Sequence, residues 1–152
     1  NQDEFYDPAQ FGPDLSRDFP GLRLWLTFKL FGAARYRAAL AEKRALALEA
    51  ADALRQVPGI VLDAPPQLSL LAFHLAGPAL PTRSAQNAAT TALLERVTAR
   101  GDVMITGCTV DGRVLARVCV LSFRTRRRDI EIAVRQIAEE TAALIEGTQT
   151  PV

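Results

Sequence analysis

Arginine dominates the chemistry open to this sequence. Of 18 basic side chains only Lys29 and Lys43 are lysines, the rest are arginines, and His74 is the single histidine. Arg117 stands apart from the others. It lies inside Arg113–Phe123, a β-branched stretch that is apolar on both faces and long enough for a covered strand. Alternation places Leu115, Arg117, Cys119, Leu121 and Phe123 on one face and Val114, Ala116, Val118 and Val120 on the other. A permanent cation in mid-strand is very costly to bury alone, so Arg117 requires an anionic partner or an open edge. A structural ion pair and a functional anion contact meet that requirement equally well.

The remaining candidates read more blandly. His74 lies on an apolar strand with no cysteine or carboxylate at ligand spacing, which describes a satisfied or half-exposed strand histidine and no metal site. No Gly-x-Gly-x-x-Gly loop, phosphate-cradling loop or Cys-x-x-Cys pair is present. Cys108 and Cys119 read as small core hydrophobes. They share a face four residues out of register, about 13 Å apart, too far for a disulfide. Arg124, Arg126, Arg127 and Arg128 run into the start of the last helix, where cations oppose the helix dipole. That run is a solvated turn or an anion or interface contact.

Composition bounds the classes. With 152 residues, 49% apolar and 23% charged, the chain has the size and balance of one globular domain. A net charge of +1 gives no pull toward nucleic acid or membrane. Unpaired cysteines fit a reducing, cytoplasmic compartment, and neither a signal peptide nor a membrane-length apolar run is found. A first residue of Asn rather than Met is what an excised or processed piece would carry.

The elements that must position Arg117 follow in order. Residues 1–20, acidic and turn-rich, form an irregular arm, and 21–152 a small domain. Leu22–Phe31 is a helix ending near Gly32, apolar all round and so destined for burial in something larger, with Trp25 a core or interface residue. Ala33–Val57 is an amphipathic helix with Tyr36, Leu40, Leu46, Ala50, Leu54 and Val57 on one stripe, stopped by Pro58-Gly59. Strands follow at Ile60–Asp63 and Gln67–Leu75. Ser84 caps a helix that runs to Arg100, with Ala88, Ala92, Leu93 and Val97 inward and Gly101 as its C′ glycine. Asp111-Gly112 joins Asp102–Val110 to Arg113–Phe123 through a type I′ turn. The register places Val110 opposite Arg113, Cys108 opposite Leu115, Thr106 opposite Arg117 and Met104 opposite Cys119. Thr125 caps a last helix with Ile130, Ala133, Val134, Ile137, Leu144 and Ile145 as its stripe. The fold class is α+β, a small antiparallel sheet with helices packed on one face.

Three stretches resemble a known family. Ser16-Arg17-Asp18-Phe19-Pro20-Gly21-Leu22-Arg23-Leu24-Trp25-Leu26, then Phe31-Gly32, is similar to the opening of the C-terminal part of group II pyridoxal-phosphate (PLP)-dependent amino-acid decarboxylases. Aromatic-L-amino-acid, tryptophan, tyrosine and histidine decarboxylases belong to that group. Leu71-Ala72-Phe73-His74-Leu75 resembles a strand of the family's small domain, where arginine often stands at the position of His74. Arg117-Val118-Cys119-Val120-Leu121-Ser122-Phe123-Arg124-Thr125, with Asp129-Ile130, resembles its closing strand and last helix. The resemblance runs from about residue 15 to 146.

The resemblance implies the small C-terminal domain of a fold-type I enzyme, cut off from its large PLP-binding domain. In the family the cofactor forms a Schiff base with a lysine that directly follows a histidine; here Lys29 follows Phe28 and Lys43 follows Glu42. The resemblance therefore implies no catalytic, cofactor-binding or metal residue in this chain, which is inert alone and carries no PLP. The parent would be a homodimer that removes the α-carboxylate of an L-amino acid as CO₂, with PLP as electron sink. In related glutamate decarboxylases the arginine matching Arg117 binds the substrate's side-chain carboxylate, so Arg117 is implied as part of the active-site wall that this domain closes.

The alternative is a free-standing α+β binding or regulatory module, and Leu22–Phe31, which needs a larger partner, argues against it. Nucleic-acid binding through Arg124–Arg128 is weak at a net charge of +1. A His-Lys pair upstream in the reading frame separates the first two readings.

Overall fold

The computed structural model describes residues 19–149. The expected arm and the motif residues Ser16, Arg17 and Asp18 lie outside the described residues. The order is α1 (Pro20–Arg55), β1 (Ile60–Leu62), β2 (Leu70–Leu75), α2 (Arg83–Ala99), β3 (Thr106–Val110), β4 (Arg113–Cys119) and α3 (Arg127–Gln149). The chain divides into two compact units, Asn1–Arg37 and Ala38–Val152.

The described part of the first unit is helical, with a break at Gly32, whose φ of 74° and ψ of 152° only glycine adopts readily. The expected helix end is therefore present as a break inside α1. Within this unit Phe28 packs on Tyr36, with ring centroids 4.6 Å apart, and the Lys29 ammonium sits 5.7 Å from the Trp25 ring centre. Trp25 is 57% exposed, as are Leu24, Leu30 and Phe31 to a similar degree. Of the two placements expected for Trp25, core or interface, the core one is thus corrected.

The second unit is a four-stranded antiparallel sheet, β1-β2-β4-β3, with helices on one face. Leu71, Phe73 and Leu75 of β2, Ala116 and Val118 of β4 and Ile60 of β1 face a core closed by Leu46, Ala50 and Leu54 of α1, Leu93 and Val97 of α2 and Ile130 and Ile137 of α3. Gly107 lies on this same face, where a Cβ would come within 2.8 Å of Leu94, so α2 crosses β3 closely. Arg100 at the end of α2 bonds Glu139 at 2.7 Å and Glu140 at 3.2 Å on α3. The hydrogen bond that Arg100 donates to the Glu139 carboxylate, foremost, raises the Arg100 pKa further.

Several sequence expectations are corrected here. Leu40 is exposed and the buried stripe of α1 carries Lys43 instead. In α2, Ala88 is exposed and Thr90 is fully buried. Thr82, not Ser84, caps α2, its hydroxyl accepting from the Ala85 N–H at 3.1 Å. Gly101 follows as the C′ glycine with φ 82°. At α3 the Asp129 carboxylate accepts from the Arg126 N–H at 2.8 Å, while the Thr125 carbonyl accepts from Lys43. Both closing strands are shorter than expected: β4 ends at Cys119 and β3 starts at Thr106, so Met104 has no partner opposite Cys119.

Candidate functional site: the open face of the sheet

Two residues make the hairpin that carries Arg117. Asp111 and Gly112 have φ of 48° and 73°, the double positive φ of a type I′ turn. The ladder that follows is the expected one: Val110 opposite Arg113, Cys108 opposite Leu115 and Thr106 opposite Arg117. On its other side β4 pairs with β2, with Ala72 opposite Arg117 and Leu70 opposite Cys119. Arg117 is therefore central in the sheet, on the face turned away from the helices.

Around Arg117 and toward the sheet's edges this face is open, although Leu115 and His74 on it are buried. Val61 and Val110 are 43% and 51% exposed, and Thr106 and Cys119 are exposed beside Arg117. Arg117 itself is half-buried. Its Nη2 donates to Thr106 Oγ1 at 3.3 Å, and its Nε is buried with no hydrogen-bond partner. No carboxylate among the described residues forms an ion pair with it. Among the described residues, then, no ion pair answers its charge, and the open face is what makes the cation tolerable. A half-buried guanidinium steadied by one hydroxyl can bind an anion through the part of its fork that reaches the open face.

A second polar cluster fills the same face where β2 and β4 diverge. His74 is 5% exposed. Its Nδ1 donates to Asp63 Oδ2 at 2.8 Å, and its Nε2 accepts from Arg113, which also reaches Gln86 at 3.3 Å. These partners assign the neutral Nδ1–H tautomer. His74 is thus the satisfied histidine that was expected, but buried rather than half-exposed. Its carboxylate was missed because it is 11 residues away in sequence. The pairing of Val61 with His74 supplies the missing signal, since Asp63 then shares the face of His74.

The other candidates fall elsewhere. Arg126 and Arg127 pair with Glu42 at 3.5 Å and Glu49 at 2.7 Å on α1, and Arg124 lies over the Phe123 ring. These are exposed pairs of small energetic weight. Both cysteines are free, Cys108 half-buried and Cys119 exposed, so the core role expected for Cys119 is corrected. Cys119 borders a cleft of about 330 Å³ between β4 and the start of α3. Among the described residues no group of three or more His, Cys, Asp or Glu could hold a metal ion, and no helix is long and apolar enough to cross a membrane.

The comparisons with known proteins agree on one architecture. No family model matches the chain. Aromatic-L-amino-acid decarboxylase of Bacillus atrophaeus is 28% identical over 137 residues, which are 88% of this chain and 28% of that protein. The structure of Oryza sativa TDC with PLP and tryptamine superposes with a TM-score of 0.79 at 22% identity, over 95% of this chain and 30% of that one. Catharanthus roseus tryptophan decarboxylase in complex with L-tryptophan gives 0.74 at 21% identity, over 86% and 27%. The chain spans under a third of the length of each of these proteins. Its fold is that of the C-terminal domain of PLP-dependent decarboxylases.

Proposed function

We propose that this chain is the C-terminal domain of a group II PLP-dependent L-amino-acid decarboxylase, and that its open sheet face closes one wall of the active site. The observation that carries the reading is the half-buried guanidinium of Arg117, steadied by Thr106, on the sheet face opposite the described helices, in a domain with the fold of these enzymes.

The chain's own residues do not fit the cofactor. Lys43 is 5% exposed; its ammonium donates to the Thr125 carbonyl at 2.7 Å and pairs with Glu42 at 3.2 Å. Lys29 lies over Trp25 in the first unit. Neither follows a histidine. PLP, which supplies the electron sink for carboxylate loss, is held by the large domain of the parent on this reading. What this chain contributes is a rigid wall: the sheet presents a fixed cation to the substrate or to a carboxylate beside it and excludes water behind it.

The remainder of the reading concerns the parent. It is a cytoplasmic homodimer with residues 21–152 as its small domain, docked on its own large domain through the apolar helix of Leu22–Phe31. Free cysteines and the exposed apolar side chains of that helix support this. The test is to express the full protein that contains this chain, load it with PLP and measure CO₂ against amine from a panel of L-amino acids. One CO₂ released per amine formed is expected. Amino-group transfer without CO₂ release, or no reaction with any amino acid, overturns it.

A further inference from the structure

We propose that Thr106 is the positioning residue that aims the Arg117 guanidinium at its anion, an inference that rests on the wall just proposed. Arginine ends a long flexible side chain, and its donors become directional only when one of them is held. Among the described residues, the side-chain partner of Arg117 is the Thr106 hydroxyl, which accepts from Nη2 at 3.3 Å. Nε is buried without a partner while the residue as a whole is only half-buried, so the guanidinium is held at Nη2 on a face that is still reached from outside.

The hydroxyl is a suitable fixed point. Threonine is β-branched and stiff at χ1, so its Oγ1 has few places to go. Thr106 faces Arg117 because the two-residue turn at Asp111-Gly112 sets the register. That turn is in turn clamped by α2. Arg83 donates to the Asp111 carbonyl at 3.0 Å and Asn87 to the Gly112 carbonyl at 2.9 Å. A register slip of one residue would carry the hydroxyl to the helix-covered face. An edge-strand threonine thus acts on the site through Arg117 without touching the anion itself.

The experiment uses Thr106→Val, which keeps shape and strand propensity but removes the acceptor, and Thr106→Ser, which keeps the acceptor. In this chain, nitrogen-edited NMR reads the rotation of the Arg117 guanidinium at its Nη groups, which the bond from Nη2 to Thr106 restrains. Thr106→Val is expected to speed it about three- to tenfold, the loss of one hydrogen bond, and Thr106→Ser to leave it near the parent rate. In the PLP-loaded full-length enzyme, Thr106→Val is expected to lower kcat/KM by a similar factor, chiefly through KM, and to add nothing to Arg117→Ala. Equal behaviour of the Val and Ser variants, or full additivity with Arg117→Ala, overturns the positioning role. If Arg117→Ala alone leaves kcat/KM unchanged, the wall reading fails instead, whatever the NMR result.

Discussion

The Lys43 ammonium donates to the Thr125 carbonyl at 2.7 Å, tying the buried stripe of α1 to the loop that leads into α3. One of the two lysines in the chain is thereby a buried structural cation, paired also with Glu42.

That tie predicts how the chain meets PLP. A buried, hydrogen-bonded ammonium is a poor nucleophile, because the free amine is what attacks the aldehyde. Added PLP is expected to give no stable, stoichiometric protein Schiff-base absorbance. Reductive labelling of Lys29 or Lys43 at one equivalent, accompanied by amino-acid turnover, would overturn the assignment of the cofactor to another domain.

The apolar helix in the first unit predicts association. Leu24, Trp25, Leu30 and Phe31 are each more than half exposed, and contiguous patches of this kind are uncommon on monomers. The chain is expected to bind a hydrophobic dye and to self-associate. Leu24→Glu with Leu30→Glu is expected to suppress both. A monodisperse monomer at high concentration, with no dye binding, is the contrary result.

Arg117 is predicted to matter more for catalysis than for folding in the full-length enzyme. A lost charge-assisted hydrogen bond is worth about 1.5–3 kcal/mol, or roughly ten- to more than a hundred-fold in kcat/KM. Arg117→Lys is expected to rescue poorly, since a point charge does not replace the guanidinium fork. Melting and turnover are to be measured on the same variants. A large drop in melting temperature with unchanged turnover per folded molecule would remove Arg117 from the site.

Gly59 is predicted to be intolerant of any side chain. Its φ is 87°, and a Cβ would fall 2.1 Å from Ile145 Cδ1 on α3. Gly59→Ala is expected to lose about 1–3 kcal/mol to backbone strain, with more from the contact. Adding Ile145→Val should recover the contact part alone. Full recovery in the double variant would show that backbone strain plays no part.

Asn87 is predicted to hold the hairpin. Its Oδ1 accepts from the Val114 N–H at 2.9 Å, just beyond the last β2–β4 pair, Phe73 with Ala116. Asn87→Ala leaves a backbone donor unpaired, at about 1–3 kcal/mol. Amide exchange at Val114 should accelerate well before that of Ala116. Uniform acceleration across β4 would show global destabilisation instead.

Local chemistry made the hairpin legible from sequence. Asp111-Gly112 names its own turn, a two-residue turn dictates register, and register alone placed Thr106 opposite Arg117. The same locality gave the helix break at Gly32 and the stop at Gly101, where backbone conformation is a property of one residue. Strand and helix ends were less legible, because Ser84 and Thr82 compete for one cap and the chain's path into α2 selects between them.

What only the tertiary structure decided is which neighbours meet across long stretches of sequence. The alternation in β4 separates Arg117 from Ala116, but it does not say which face the helices take. That depended on α1, α2 and α3 burying the face of Phe73 and Ala116 together. Lys43 lacks a sequence-local reason for burial until the Thr125 carbonyl, 82 residues away, accepts its hydrogen bond. His74 lacks a carboxylate in sequence until β1 pairs with β2 and brings in Asp63. Periodicity encodes faces, and turn residues encode register. The partner of a buried polar group is set by packing between elements, which local sequence does not encode.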